Sequence, residues 1–218
     1  MKKVSMKIDV VSDVVCPWCA VGIASLLRAL DTLGDELRPT LHFQPFELNP
    51  TLGPGGQDIV EYLGRKYGST PEQIERTHEQ IAQRGAAVGF TFNMDLRTRT
   101  YNSFDAHRLL HWAGLEGEDF QLLLKLALLR SYFTEGLDPG EPTLLVSLAA
   151  EAGLDAARAL DILASDEYAD EVREREAFYQ SQGIASVPSF IINDRHLIAG
   201  GQPPEFFVQA LRQIAEEG

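Results

Sequence analysis

Strand-forming residues are confined to the two ends of this chain, and a long stretch of helical pattern separates them. Residues 7–15 are apolar and mostly β-branched, broken by Ser12 and Asp13, which predicts a buried strand. Pro17 then suits the first turn of a helix, where its missing N–H is not needed. Val21, Ile23, Leu26, Leu27 and Leu30 carry that helix toward Gly34. LHFQPFEL (41–48) alternates as a second strand, with Pro45 at an edge or at the end of its regular part. Near the other end, SFIIN and HLIAGG predict a hairpin turning at 193–195. The closing PPEFFVQALRQIAEE places Phe206, Phe207, Ala210, Leu211 and Ile214 on one helical face.

The middle has a different texture. NPTLGPGG is a turn-rich connector, and helical patterns follow at 58–67, 71–83, 103–115, 120–133, 142–152, 155–163 and 168–182. There is no internal repeat and no low-complexity tract. The expected fold is α/β: a βαβ–ββα unit interrupted by a large all-helical insertion. Its discontinuous domain spans 1–48 and 184–218, and the helical insertion domain spans 49–183.

Composition excludes several classes. Acidic side chains outnumber basic ones by 32 to 19, giving a net charge of −13, unlike a surface that binds nucleic acid through Lys and Arg. Lys7, Asp9 and Asp13 interrupt the opening residues, so no signal-peptide core is expected there. No run approaches the roughly 18 apolar residues of a membrane span. Two cysteines are too few for a secreted disulfide scaffold. A cytoplasmic protein is expected, binding neither nucleic acid nor membrane.

Those two cysteines, Cys16 and Cys19, form CPWC at the expected strand-to-helix junction. Spaced i, i+3 in a first helical turn, they lie close enough to form a disulfide with little backbone movement. The helix start favours thiolate over thiol, which makes Cys16 the exposed nucleophile. Cys19, one turn deeper, becomes the thiol that resolves a mixed disulfide. Two alternatives stay open: inert buried thiols, and a Cys2His2 zinc site completed by His107 and His111 at i, i+4. The expectation is a redox pair with no metal and no bound cofactor.

Strand, CPWC, helix, a distant Val187-Pro188 before a hairpin, and a closing amphipathic helix resemble the thioredoxin fold. The long helical middle resembles its DsbA-type branch. NSFDAHRLLHWA (102–113) and AGGQPPEFFVQAL near the end are similar to the FrnE-like group of that branch. The resemblance implies a cis peptide bond at Pro188, in a loop facing the cysteines, with backbone groups of Val187 free to pair with an extended substrate. Trp18 then either touches a bound partner or packs over the helix start. Pro17 supports the dithiol from the first turn. His107 and Arg108 match the subfamily pattern, as structural contacts more often than as substrate groups. Two departures stand out. Val10 occupies the place where many relatives carry a buried acid, leaving Asp13 and Glu47 as nearby candidates, and there are no extra cysteines.

The resemblance implies a thiol–disulfide oxidoreductase acting on disulfide-containing proteins or small thiols. Glutathione or a thioredoxin-type reductant would reset it, and related proteins point to a homodimer. A second class shares the layout: hydroxychromene-carboxylate isomerases and kappa-class glutathione transferases, which use a serine near the position of Cys16. A third reading is a non-enzymatic, chaperone-like module that holds unfolded segments in a groove between core and insertion.

Overall fold

A computed structural model describes residues 3–217; Met1, Lys2 and Gly218, at the limits of the expected outer segments, lie outside the described residues. In chain order the elements are β1 (Val4–Ser12), α1 (Pro17–Leu33), a 3-10 turn (Gly34–Glu36), β2 (Leu37–Pro45), β3 (Gln57–Asp58), α2 (Ile59–Tyr67) and α3 (Pro71–Ala87). Then come β4 (Arg99–Thr100), α4 (Phe104–Glu116), α5 (Glu118–Phe133), α6 (Pro142–Glu151), α7 (Ala156–Leu163) and α8 (Ala169–Ser181). The chain closes with β5 (Ser189–Ile192), β6 (His196–Ala199) and α9 (Pro204–Glu217).

The two ends of the chain build one sheet in the order β2-β1-β5-β6. β1 runs parallel to β2 and antiparallel to β5, which pairs antiparallel with β6. This is the thioredoxin-like βαβ–ββα arrangement. β1 is central, and Ile8 through Ser12 are all buried, so this part of the strand shows no alternation of buried and exposed residues. Val10 stands opposite Phe190 and Val11 opposite Ser189. That register sets Pro188, the residue before β5, beside the end of β1, and so beside the loop that leads to Cys16.

Four local expectations are corrected. β1 ends at Ser12 because Asp13 bends the chain: its carboxylate accepts from Val15 N–H at 3.3 Å and from Leu48 N–H at 2.7 Å. β2 begins earlier than expected and ends at Pro45, which has no N–H for the ladder. The insertion is not purely helical, since β3 and β4 pair antiparallel, Gln57 opposite Thr100. Phe206 is 45% exposed, because the buried face of α9 follows Phe207, Leu211 and Ile214.

The helices begin where local chemistry satisfies their first N–H groups. Thr70 and Gln73 form a capping box at α3, Asp58 accepts from Val60 and Glu61 N–H at α2, and Asp155 caps α7. One hydrophobic core joins sheet and insertion: Val10, Ile23, Leu109, Leu128, Leu145, Phe190 and Phe207 belong to it. The Phe190 and Phe207 rings meet edge-on at 4.8 Å, tying α9 to β5. Burying each ring contributes about 1.5–3 kcal/mol. Among the described residues no helix is long and apolar enough to cross a membrane.

Candidate functional site

Cys16 is the N-cap of α1, with extended backbone (φ −93°, ψ 113°) and Pro17 as the first helical residue. A sulfur therefore stands where Ser, Thr or Asp would ordinarily place a capping oxygen. The expected exposure of Cys16 is corrected: it is buried at 4% exposed, Cys19 is fully buried, and Trp18 between them, 36% exposed, is the open part of the motif, with Cys16 reached through the adjoining groove. Both cysteines are free thiols. The Cys16 thiol donates to the Val187 carbonyl oxygen at 3.8 Å, and the Val187–Pro188 peptide bond is cis.

The two thiols are driven apart electrostatically. A hydrogen bond from Cys19 is the main cause lowering the Cys16 pKa, and the N–H groups of Cys19 and Trp18 add to it. Together they outweigh burial and the repulsion of Asp13. Although the sulfur makes no close capping bond, the first-turn N–H groups still favour its anion. Cys19 is pushed well above an ordinary thiol, chiefly by burial and then by Cys16. Cys16 thus ionises first, while Cys19 holds its proton.

Close packing brings the second wall up to the dithiol. A Cβ on Gly22 would come within 3.0 Å of both Phe190 Cζ and Pro188 Cγ, and within 3.3 Å of Gly201 Cα. The missing side chain is what lets α1 press against Pro188.

Asp13 anchors the loop between β1 and Cys16. Its carboxylate holds Leu48 and Val15 N–H and lies 3.4 Å from His107 Nε2. Burial alone would raise its pKa, but His107, Leu48 N–H and Ser103 hold it below the ordinary carboxylate value. His107 therefore meets the site through Asp13. Arg108 does not reach the cysteines: it donates to the carbonyls of Ile162 at 2.5 Å and Glu167 at 2.9 Å, tying α4 to the α7–α8 connection. His111 stacks near the Tyr168 ring at 5.2 Å, so the two histidines do not complete a Cys2His2 set. Among the described residues no group of three or more His, Cys, Asp or Glu side chains is placed to hold a metal ion. Val10 is fully buried in the core, with no acid at that position.

A groove of about 580 Å³ opens beside Cys16. Pro17, Trp18 and Val187 line it on the side of the dithiol, and Tyr62, Lys66 and His78 line it from α2 and α3. Lys66 Nζ donates to Tyr62 OH at 2.5 Å and to Leu48 O at 3.0 Å. Glu47, also in the lining, is paired with Arg173 and accepts from Asn102; burial and then Glu176 raise its pKa. Sequence patterns did not single out Tyr62, Lys66 or His78, which are ordinary polar residues of amphipathic helices until the fold turns them toward Cys16.

Residues 7–212 match the family described as the DSBA-like thioredoxin domain. The chain belongs to this family. Among solved structures, this DSBA-like chain is similar to the probable DsbA oxidoreductase SCO1869 from Streptomyces coelicolor: 34% identity, 98% of this chain and 91% of that chain covered, TM-score 0.86. Uncharacterized protein YwbO of Bacillus subtilis is 28% identical over 208 residues, 95% of this chain and 96% of YwbO. Two more distant structures share the fold alone. 2-Hydroxychromene-2-carboxylate isomerase has a TM-score of 0.71 at 14% identity, covering 97% of each chain. The cytosolic disulfide reductase DsbM from Pseudomonas aeruginosa with GSH has a TM-score of 0.65 at 18% identity, covering 96% of this chain and 99% of that one. A reductase and an isomerase on one fold leave the choice of chemistry to the side chains.

Proposed function

We propose that this DSBA-like chain is a cytoplasmic thiol–disulfide oxidoreductase that reduces or isomerises disulfides of proteins or small molecules. The observation that carries the reading is the placement of Cys16 at the N-cap of α1, with Cys19 buried one turn deeper and the Val187 carbonyl 3.8 Å from the Cys16 sulfur. The Cys16 thiolate attacks one sulfur of a substrate disulfide, and the other sulfur leaves as a thiolate. Cys19 then attacks Cys16 Sγ, expelling the second substrate thiol and closing the Cys16–Cys19 disulfide. Two electrons pass to substrate. Glutathione or a thioredoxin-type reductant returns them, with no bound cofactor.

The parts divide the work. Residues 1–48 and 184–218 supply the dithiol and the Val187–Pro188 loop, whose backbone pairs with an extended substrate segment as an added strand. Residues 49–183 supply the far wall of the groove, and the exposed Trp18 ring rests on the bound partner. An isomerase chemistry of the hydroxychromene-carboxylate type shares the fold, but it calls for a serine where this chain has Cys16. The test is insulin reduction by wild type and Cys16→Ser. The variant's rate is expected to fall to the uncatalysed background; equal rates would sink the reading.

A further inference from the structure

Arg97, shortly before β4, is a charge carried into the interior without a counter-charge. It is 5% exposed, and of its side-chain nitrogens only Nε is bonded among the described residues, donating to Tyr132 OH at 2.9 Å. Its guanidinium carbon lies 5.3 Å from the ring centroids of both Tyr132 and Phe133, and those rings offset part of the cost of burial. Among the described residues no carboxylate stands within ion-pair distance of it. A guanidinium cannot shed its proton to escape that cost. Buried charges are ordinarily paired, so the partner of Arg97 belongs in the space that it borders.

That space is the groove beside Cys16. Arg97 lines it together with Lys66 from α2 and His78 from α3. Lys66 Nζ meets only neutral acceptors there: Leu48 O at 3.0 Å, Asn49 Oδ1 at 3.3 Å and Tyr62 OH at 2.5 Å. His78 Nε2 is buried and has no partner among the described residues. The one carboxylate in the lining, Glu47, is paired with Arg173. In a chain of net charge −13, one wall of this groove is therefore cationic. Trp18, Phe46, Ile74, Ile81 and Val187 make much of the remaining lining apolar. The volume of about 580 Å³ is that of a small-molecule site.

We propose that the groove binds a low-molecular-weight disulfide with an apolar or aromatic body and a carboxylate that pairs with Arg97. The inference rests on the oxidoreductase reading above and names its substrate class. The carboxylate accepts from the terminal N–H groups of Arg97, and Lys66 adds a second positive charge. The body of the ligand fills the apolar part of the groove, which presents one of its sulfurs to Cys16. Cys16 Sγ bonds to that sulfur, the S–S bond of the ligand breaks, and the other half leaves as a thiolate. Lys66, His78 and Arg97 all belong to the insertion, so the choice of substrate lies in residues 49–183 and the dithiol chemistry in the outer segments.

The test uses the full reduced chain and two reagents that differ only by one carboxylate on each ring, 6,6′-dithiodinicotinate and the neutral 2,2′-dithiodipyridine. Attack by Cys16 releases a pyridinethione from either, read by absorbance in stopped flow. The readout is the ratio of second-order rate constants, anionic over neutral, divided by the same ratio for the small neutral thiol N-acetylcysteine amide. In wild type this normalised ratio should exceed unity by about 10-fold, although the net charge of the chain pushes the other way. Arg97→Met should lower it by about 10-fold. Lys66→Gln, at an exposed position, should lower it by about 3-fold. Circular dichroism reports whether each variant is folded, and Lys66→Gln keeps the test decisive if Arg97→Met does not fold. A wild-type ratio no greater than that of the small thiol, or a folded variant of either kind that keeps the wild-type ratio, overturns the proposal. A wild type that releases no thione from either reagent overturns the oxidoreductase reading itself, which is a separate failure.

Discussion

Cys16 Sγ and the Val187 carbonyl oxygen lie 3.8 Å apart across 171 positions of sequence. The contact is made by the sheet: Val11 pairs with Ser189, so the strand that leads into Cys16 ends beside the strand that Val187 and Pro188 lead into. The nucleophile and its opposite wall are held by the backbone ladder and by the contact of Gly22 with Pro188.

The opposed ionisation predicts selective alkylation. Iodoacetamide near neutral pH should modify Cys16 and leave Cys19 untouched in the folded protein, as read by peptide mass spectrometry. The rate follows the thiolate fraction, so it should rise with pH through the depressed Cys16 value and flatten below the ordinary 9.0. Cys19→Ala removes the main cause of the depression and should move the inflection upward. An inflection that does not move would contradict this account of the shift.

Asp13→Ala should destabilise the fold by about 3–5 kcal/mol in urea unfolding, because buried partners lose their acceptor together. Asp13 is held below its ordinary 3.8 in the folded protein, so its contribution is complete above that value. It is lost as pH falls through the lower folded value. Asp13→Asn should therefore show a flatter acid limb than wild type below the ordinary 3.8. Identical acid limbs would remove the carboxylate from the stability of this loop.

Two glycines in helices should respond in opposite directions. Gly22→Ala forces a Cβ to 3.0 Å from Pro188 and Phe190. It should cost about 1–3 kcal/mol and lower insulin reduction further than the loss of folded protein explains. Gly64→Ala in α2 meets only Ser69 O at 3.4 Å, and should stabilise the chain by about 0.5–1 kcal/mol. Thermal unfolding of the two variants beside wild type checks both signs.

What was legible in the sequence was local. Pro17 after a β-branched run placed Cys16 at the start of α1, and the helical patterns beginning at 71 and 155 mark starts that the structure keeps to within a residue, capped by Thr70 and Asp155. The Asn193–Arg195 turn was equally readable, with Asn193 and Asp194 both at positive φ. What escaped depends on distant partners. Val14 and Val15 look like strand residues, and the bonds that Asp13 accepts from Val15 and Leu48 N–H bend them away. The ladder of Gln57–Asp58 with Arg99–Thr100 is too short to show a period. Lys125 reads as one polar residue of a helix; the signal was a single charge among leucines, and its full burial depends on how α5 packs in the fold.

The most direct measurement is a trap. Cys19→Ser leaves Cys16 able to attack but unable to be resolved, so mixed disulfides should accumulate when the variant is exposed to disulfide-bearing proteins. Non-reducing electrophoresis and mass spectrometry should then find the partner cysteine joined to Cys16. Under the same conditions Cys16→Ser should capture nothing. A Cys19→Ser protein that forms no mixed disulfide, or one that forms them equally without Cys16, would contradict the assignment of Cys16 as nucleophile and Cys19 as resolving thiol.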